Sequence, residues 1–149
     1  MRSYRAQLLG VDVEILEFDE GVETVERAAK ASGAPPDSII KTLLVKAGGQ
    51  YVVVLARGTV RVDMDALSRA LGAPAAMAKA KEVREVLGVE PGAVTPLSER
   101  VKALKVIADP GILQYEYVLA GGGATNKLIK VKVADLVNAL RPTFLEVFR

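Results

Sequence analysis

Hydrophobic positions recur along this chain with two different periods, and each change of period marks a boundary between elements. In Val11–Phe18, "VDVEILEF", apolar residues alternate with acidic ones, which predicts a strand with one wet face. The spacing lengthens in "ETVERAAKASG": Val25, Ala28 and Ala29 share a helical face, Thr24 stands where an N-cap belongs, and Gly33 stands at the end. Two apolar, β-branched runs then flank Gly48-Gly49 and predict a hairpin closed by a tight turn. Helical spacing returns in "VDMDALSRALG", with Asp63 as cap and Gly72 as stop, and "KEVREVLG" predicts another short helix. Beyond a Pro/Gly-rich loop, "ALKVIAD", "YEYVLAG" and "KLIKVKV" read as strands and "ADLVNALR" as a last helix closed by Pro142. About six strands interleaved with short helices and joined partly by hairpins predict an α+β fold with a mixed sheet or small barrel. No repeat, low-complexity tract or linker interrupts the pattern, so residues 1–149 are expected to form one domain.

One position breaks the pattern. Lys41 falls in the middle of the first hairpin strand, on the face of Ile39, Leu43 and Val45, and the opposite face, Ile40, Thr42 and Leu44, is no more polar. Lysine is among the residues least often buried. A chain that places one here either lets it snorkel out or uses it.

Composition narrows the chemistry. The 149 residues suffice to bury a sizeable core, roughly two thirds of the unfolded surface for a chain of this size. With half the residues hydrophobic and a quarter charged, disorder is not expected. The start of the chain lacks the apolar h-region and cleavage site of a signal peptide, and no run reaches the length of a membrane span, so a cytoplasmic protein is expected. There is no cysteine and no histidine. Their absence removes thiolate nucleophiles, Ser-His-Asp and Cys-His catalysis, imidazole acid/base chemistry and nearly every transition-metal site, so neither metal nor cofactor is expected. The net charge of +2 is compatible with nucleic acid without demanding it.

Several motifs invite a chemical reading and fail on context. Ser38-Ile39-Ile40-Lys41 matches S-x-x-K, but that pair works on one helix face, whereas positions three apart in a strand point to opposite faces. "AGGGATNK", Ala120–Lys127, fits neither the Walker A nor the dinucleotide pattern; its glycines allow a turn or a close approach of backbone to ligand. Glu17, Asp19, Glu20 and Glu23 lack the spacing of a calcium loop and read as a solvated turn. "GVEPGAVTPL" is a stiff loop in which Gly92–Pro96 spells G-x-x-x-P.

The stretches "IIKTLLVKAGGQYVVVLARGTVRVDMDALSRALG", "EVREVLGVEPGAVTPL" and "YVLAGGGATNKLIKVKVADLVNAL" together resemble the YbaK-like family of aminoacyl-tRNA editing proteins, related to the insertion domain of bacterial prolyl-tRNA synthetases. The likeness covers most of the chain. It rests on a lysine-threonine-leucine strand at Lys41–Leu43, the loop Gly92–Pro96 and the glycine-rich turn Gly121–Gly123, in that order. The resemblance implies a barrel-like mixed sheet surrounded by helices, and hydrolysis of the ester between a wrong small amino acid and its tRNA, of the Cys-tRNA(Pro) or Ala-tRNA(Pro) type. A non-catalytic module that binds tRNA or a synthetase is the alternative. Under this reading Lys41 and Gly92 are catalytic. Thr42, Ala93, Val94, Thr95, Pro96, Gly121, Gly122, Gly123 and Asn126 bind substrate, with Asn126 near the terminal ribose. The implied partners are the tRNA acceptor end and an aminoacyl-tRNA synthetase, with no membrane.

The chemistry agrees: ester hydrolysis needs a positioned water or substrate hydroxyl and donors for the developing oxyanion, and does not require histidine or metal. A lysine ammonium and the backbone N–H groups of a stiff loop are suitable donors. Lys79, Lys81 and Arg84 before the loop, and Lys130 and Lys132 on one face of a late strand, are the candidates for acceptor-stem phosphates.

Overall fold

A computed structural model describes residues 1–149. Its strands form two sheets. The first is antiparallel and four-stranded, in the order β1 (Arg2–Leu8), β2 (Val11–Glu17), β8 (Lys127–Lys132), β7 (Tyr117–Gly121). The second is mixed and five-stranded, in the order β5 (Ala75–Met77), β3 (Ile40–Ala47), β4 (Gln50–Arg57), β6 (Lys105–Ala108), β9 (Thr143–Phe144), with β6 parallel to both its neighbours. Helices α1 (Val25–Ser32), α2 (Met64–Leu71), α3 (Ala80–Leu87), the short α4 (Glu99–Lys102) and α5 (Val133–Leu140) connect them.

The α+β class and mixed sheet are as the sequence predicts. The strands do not close into a barrel; they divide into two sheets, because β3 and β4 are apolar on both faces and need cover on both. Ile40, Leu44, Val53 and Leu55 face the four-stranded sheet and join Ile15, Val118 and Ile129 in the main core cluster of 22 buried residues. Val45, Val52 and Val54 face the other way, against Leu67 of α2 and Val147 near the C-terminus.

The predicted helix ends are present as capping contacts. Thr24 Oγ1 accepts from the Arg27 N–H at 3.1 Å and an Asp63 carboxylate oxygen accepts from the Ala66 N–H at 3.1 Å. Three strands have no sequence signal. β1, "RSYRAQL", shows little apolar alternation and is exposed along most of its length, yet pairs with β2 at seven positions. Its turn, Leu9-Gly10, has φ of 52° and 74°, the left-handed pair of a tight hairpin with Leu where Asn or Asp usually stands. β5 and β9 are edge strands of three and two residues, too short for a period to register.

Candidate functional site

The site lies where the two sheets meet. Just before β3, Ile39 forms an isolated parallel bridge to Leu119 of β7, which holds the start of the hairpin against the first sheet. Around that junction lies a cavity of about 260 Å³. Its walls come from the start of α1 (Glu23, Thr24, Val25, Ala28), from Ile39–Leu43, from Pro91, Gly92 and Val94 of the stiff loop, and from Gly121, Lys127 and Leu128. Local sequence brings the loop close: a Cβ at Gly121 would overlap the Val94 carbonyl oxygen, so only glycine lets β7 pass under the loop.

Lys41 is half-buried and does not snorkel into open solvent. Its ammonium donates to the Val60 carbonyl oxygen at 2.5 Å, on the chain that turns back after β4. Burial pushes its pKa below the ordinary lysine value, the Arg61 charge pushes the same way, and the Asp109 carboxylate partly offsets both. Thr42, on the opposite face of the strand, also lines the cavity; its hydroxyl oxygen is buried and has no partner in the protein.

The turn that meets Lys41 is fixed from behind by a charged network. Asp109 is 2% exposed. One of its carboxylate oxygens accepts from Arg57 Nε at 2.8 Å and from the Arg57 N–H at 3.2 Å, and the other accepts from the Gly111 N–H at 2.8 Å. Arg57 also lies 3.5 Å from Asp37, which accepts hydrogen bonds from the Thr59 and Tyr115 hydroxyls. The Thr59 and Tyr115 hydrogen bonds, with help from Arg57, hold the Asp37 carboxyl below its ordinary pKa against the opposing effect of burial. The bond to Asp37 raises that of the Tyr115 phenol.

Of the residues to which the sequence assigns a catalytic or substrate-binding role, Lys41, Thr42, Gly92, Val94 and Gly121 come together at the cavity. The rest do not line it. The Ala93 N–H is taken by the Glu90 carbonyl oxygen at 2.9 Å, which removes one donor from the loop's oxyanion-hole reading. Thr95 and Pro96 pack inward, and the Thr95 hydroxyl oxygen is buried without a partner. Gly122 and Gly123 belong to the turn into β8, where the Gly122 N–H bonds the Lys127 carbonyl oxygen at 2.9 Å. Asn126 uses its side-chain amide on the Phe18 carbonyl oxygen at 3.0 Å, a tie between β2 and the turn. Ser38 of the S-x-x-K match is buried and donates to the Pro35 carbonyl oxygen at 2.8 Å, so it is not a nucleophile for Lys41.

The five basic candidates for phosphate contact lie outside the cavity. Lys79, Lys81 and Arg84 are exposed at α3, with Arg84 paired to Glu90 at 2.8 Å. Lys130 and Lys132 are exposed on β8, where their ammonium groups stand 5.1 Å and 5.9 Å from the centre of the Tyr117 ring. Lys127 is the basic residue that lines the cavity with Lys41, and sequence reasoning gave it no role, as it gave none to the Asp37–Arg57–Asp109 network; Glu23, read from the sequence as part of a solvated turn, and Val25 and Ala28, read only as a helix face, line the cavity too. A signal existed for Asp109 alone: a carboxylate directly after the apolar run Val106–Ala108 asks for a partner.

Comparison with known proteins places these features in a family. The sequence model of the aminoacyl-tRNA editing domain matches residues 19–139, which include Lys41, the Gly92–Pro96 loop and the glycine-rich turn. The proline–tRNA ligase of Halalkalibacterium halodurans is 35% identical over 106 residues, 70% of this chain and 18% of that protein. The proline–tRNA ligase of Bacillus licheniformis is 33% identical over 122 residues, 78% of this chain and 21% of that protein. The chain therefore spans about a fifth of the length of these relatives. Among solved structures, a hypothetical protein superposes with a TM-score of 0.85 at 28% identity, over 95% of this chain and 94% of that one. A proposed trans-editing enzyme for prolyl tRNA synthetase superposes with a TM-score of 0.84 at 26% identity, over 92% of this chain and 87% of that one.

Proposed function

Because the chain belongs to the family of aminoacyl-tRNA editing domains, we propose that it is a trans-editing deacylase, which hydrolyses the ester of a mischarged small amino acid on tRNA. The similarity to the proposed trans-editing enzyme, over 92% of this chain, supports action in trans. The likeness to proline–tRNA ligases supports tRNA(Pro) as the carrier and a prolyl-tRNA synthetase as an associated partner. Alanine and cysteine are the amino acids proposed for removal.

The observation that carries the reading is the half-buried Lys41 in a small cavity closed by the Gly92–Pro96 loop. Val25, Ala28, Ile40 and Val94 give the cavity an apolar wall suited to a short side chain. In the reaction, water adds to the ester carbonyl, the acyl carbon–oxygen bond breaks, and the terminal ribose oxygen leaves with a proton. Lys41 stabilises the negative charge that develops on the carbonyl oxygen, or fixes the ribose and phosphate beside it, as a charged donor held in place by the Val60 carbonyl. The apolar, low-dielectric wall of the cavity strengthens the field of that charge. The chain contains no His or Cys to hold a transition metal, and the reaction as drawn uses none.

The test is single-turnover deacylation of a panel of mischarged tRNAs in EDTA, by the protein and by Lys41→Ala. We expect at least one small aminoacyl ester to be cleaved, and Lys41→Ala to lose on the order of a hundredfold in rate while keeping its melting temperature. If no ester is cleaved, or Lys41→Ala cleaves at the unsubstituted rate, the proposal fails. Tight tRNA binding without cleavage would instead identify a non-catalytic module.

A further inference from the structure

We infer that Glu23 receives the α-ammonium of the aminoacyl group, and so makes the site selective for aminoacyl esters whose amine is free. The inference rests on the deacylase reading above and adds a specificity residue to it.

Three charged side chains line the cavity, Glu23, Lys41 and Lys127, and Glu23 is the only acid among them. An aminoacyl ester brings a cation into this space. Lys41 repels that cation. Lys127 is a cation as well and repels it, and the Glu17 carboxylate is already matched to Lys127 at 3.6 Å. Asp19, Glu20 and Glu26 of the same acidic segment do not line the cavity.

Glu23 is also in the right place. A Cβ built on Gly92 would stand 3.0 Å from the Glu23 Cβ, so the acid side chain springs from beside the loop that closes the cavity proposed to hold the ester carbonyl. In an aminoacyl ester the amine is one carbon removed from that carbonyl. A carboxylate on a two-carbon stem beside the loop therefore reaches the amine of an ester seated there. The present partner of Glu23 is Arg27, at 2.6 Å, one turn along the exposed side of α1. With Arg27 62% exposed at its side chain, that pair contributes little, and the carboxylate is free to exchange it for, or share it with, a ligand ammonium in a drier setting.

The experiment compares Glu23→Gln with the unsubstituted protein on one aminoacyl-tRNA prepared in two forms, with a free amine and with an N-acetylated amine. The unsubstituted protein should prefer the free amine by about tenfold or more in kcat/KM, through KM, which is the discrimination of roughly 10¹-fold expected of one exposed-to-buried charge contact. In Glu23→Gln that preference should collapse toward one. The KM of the unsubstituted protein should also rise as pH passes the ordinary α-amine range, roughly 7.7–8.0, and the KM of the variant should not follow it. Equal loss on both forms would assign Glu23 a structural role and overturn the inference, and so would an unchanged preference. If the unsubstituted protein cleaves neither form, the deacylase reading falls first and this inference falls with it.

Discussion

Replacing Asp109 with Asn perturbs the site without touching any residue that lines the cavity. The carboxylate accepts three hydrogen bonds, two from Arg57 and one from the Gly111 N–H. An Asn side chain has one acceptor oxygen, so its NH₂ must face a donor on one side. Either the Arg57 guanidinium or the Gly111 N–H is left unmatched. Breaking a buried ion pair from one side costs about 3–5 kcal/mol. Arg57 keeps Asp37 at 3.5 Å and its side chain is 23% exposed, which places the cost at the low end, about 3 kcal/mol. At roughly 2–4 °C per kcal/mol for a chain of this size, the melting temperature should fall by about 6–12 °C.

The same substitution has a second, electrostatic consequence. The Asp109 charge raises the pKa of Lys41, so its removal lets burial and Arg61 push that pKa lower still. A lysine acting in its charged form works below its pKa, and the basic limb of the rate profile therefore moves to lower pH. Thermal melts give the first quantity and single-turnover deacylation against pH gives the second. A melting temperature within about 2 °C of the unsubstituted protein would refute the network's structural weight, by the same conversion. A melt that falls while the basic limb stays in place would refute its link to Lys41.

Two further outcomes follow from the same geometry. Val94→Phe should narrow the range of amino acids removed, because Val94 lines the cavity and a single methylene there is worth about 1–3 kcal/mol; unchanged preferences in a folded variant, read from the mischarged-tRNA panel, would place the pocket elsewhere. Asp37→Asn should weaken the fold at neutral pH. The Asp37 carboxyl is lowered from 3.8 in the folded state, so its contribution is present above that value and is lost as pH falls through the lower folded one. Urea midpoints of the two proteins should differ at neutral pH and converge in acid, and a gap that stays constant with pH would remove Asp37 from the network.

What could be read from the sequence was what repeats or caps locally. The β3–β4 hairpin, the Thr24 and Asp63 caps and the glycine stops of α1 and α2 each depend on residues within a few positions, and the structure places them as the pattern implies. β1 escaped because most of its residues are exposed and the strand exists by virtue of its partner β2, which no period in its own sequence reports. The barrel expectation treated the strands as one set. The distribution of apolar residues over both faces of β3 and β4 was visible from the start, and it calls for layers on both sides of that sheet.

The site divides along the same line. Lys41 was conspicuous because it breaks a local rule, and the rest of its surroundings obey none. Its acceptor, Val60, is 19 residues away, Arg57 meets Asp109 across 52 residues, and Tyr115 meets Asp37 across 78. None of these pairs has a period. What the structure adds is the reason the strand tolerates the lysine. Lys41 stands opposite Ala56, on the face whose apolar cover comes from α2, and the chain that leaves β4 turns back to offer the ammonium a carbonyl oxygen instead of a hydrophobic side chain. That turn holds its shape because Asp37 ties down Thr59 and Asp109 ties down Arg57. The charge at the cavity thus depends on two carboxylates that do not line it, and the proposed chemistry of Lys41 is a property of the turn as much as of the lysine.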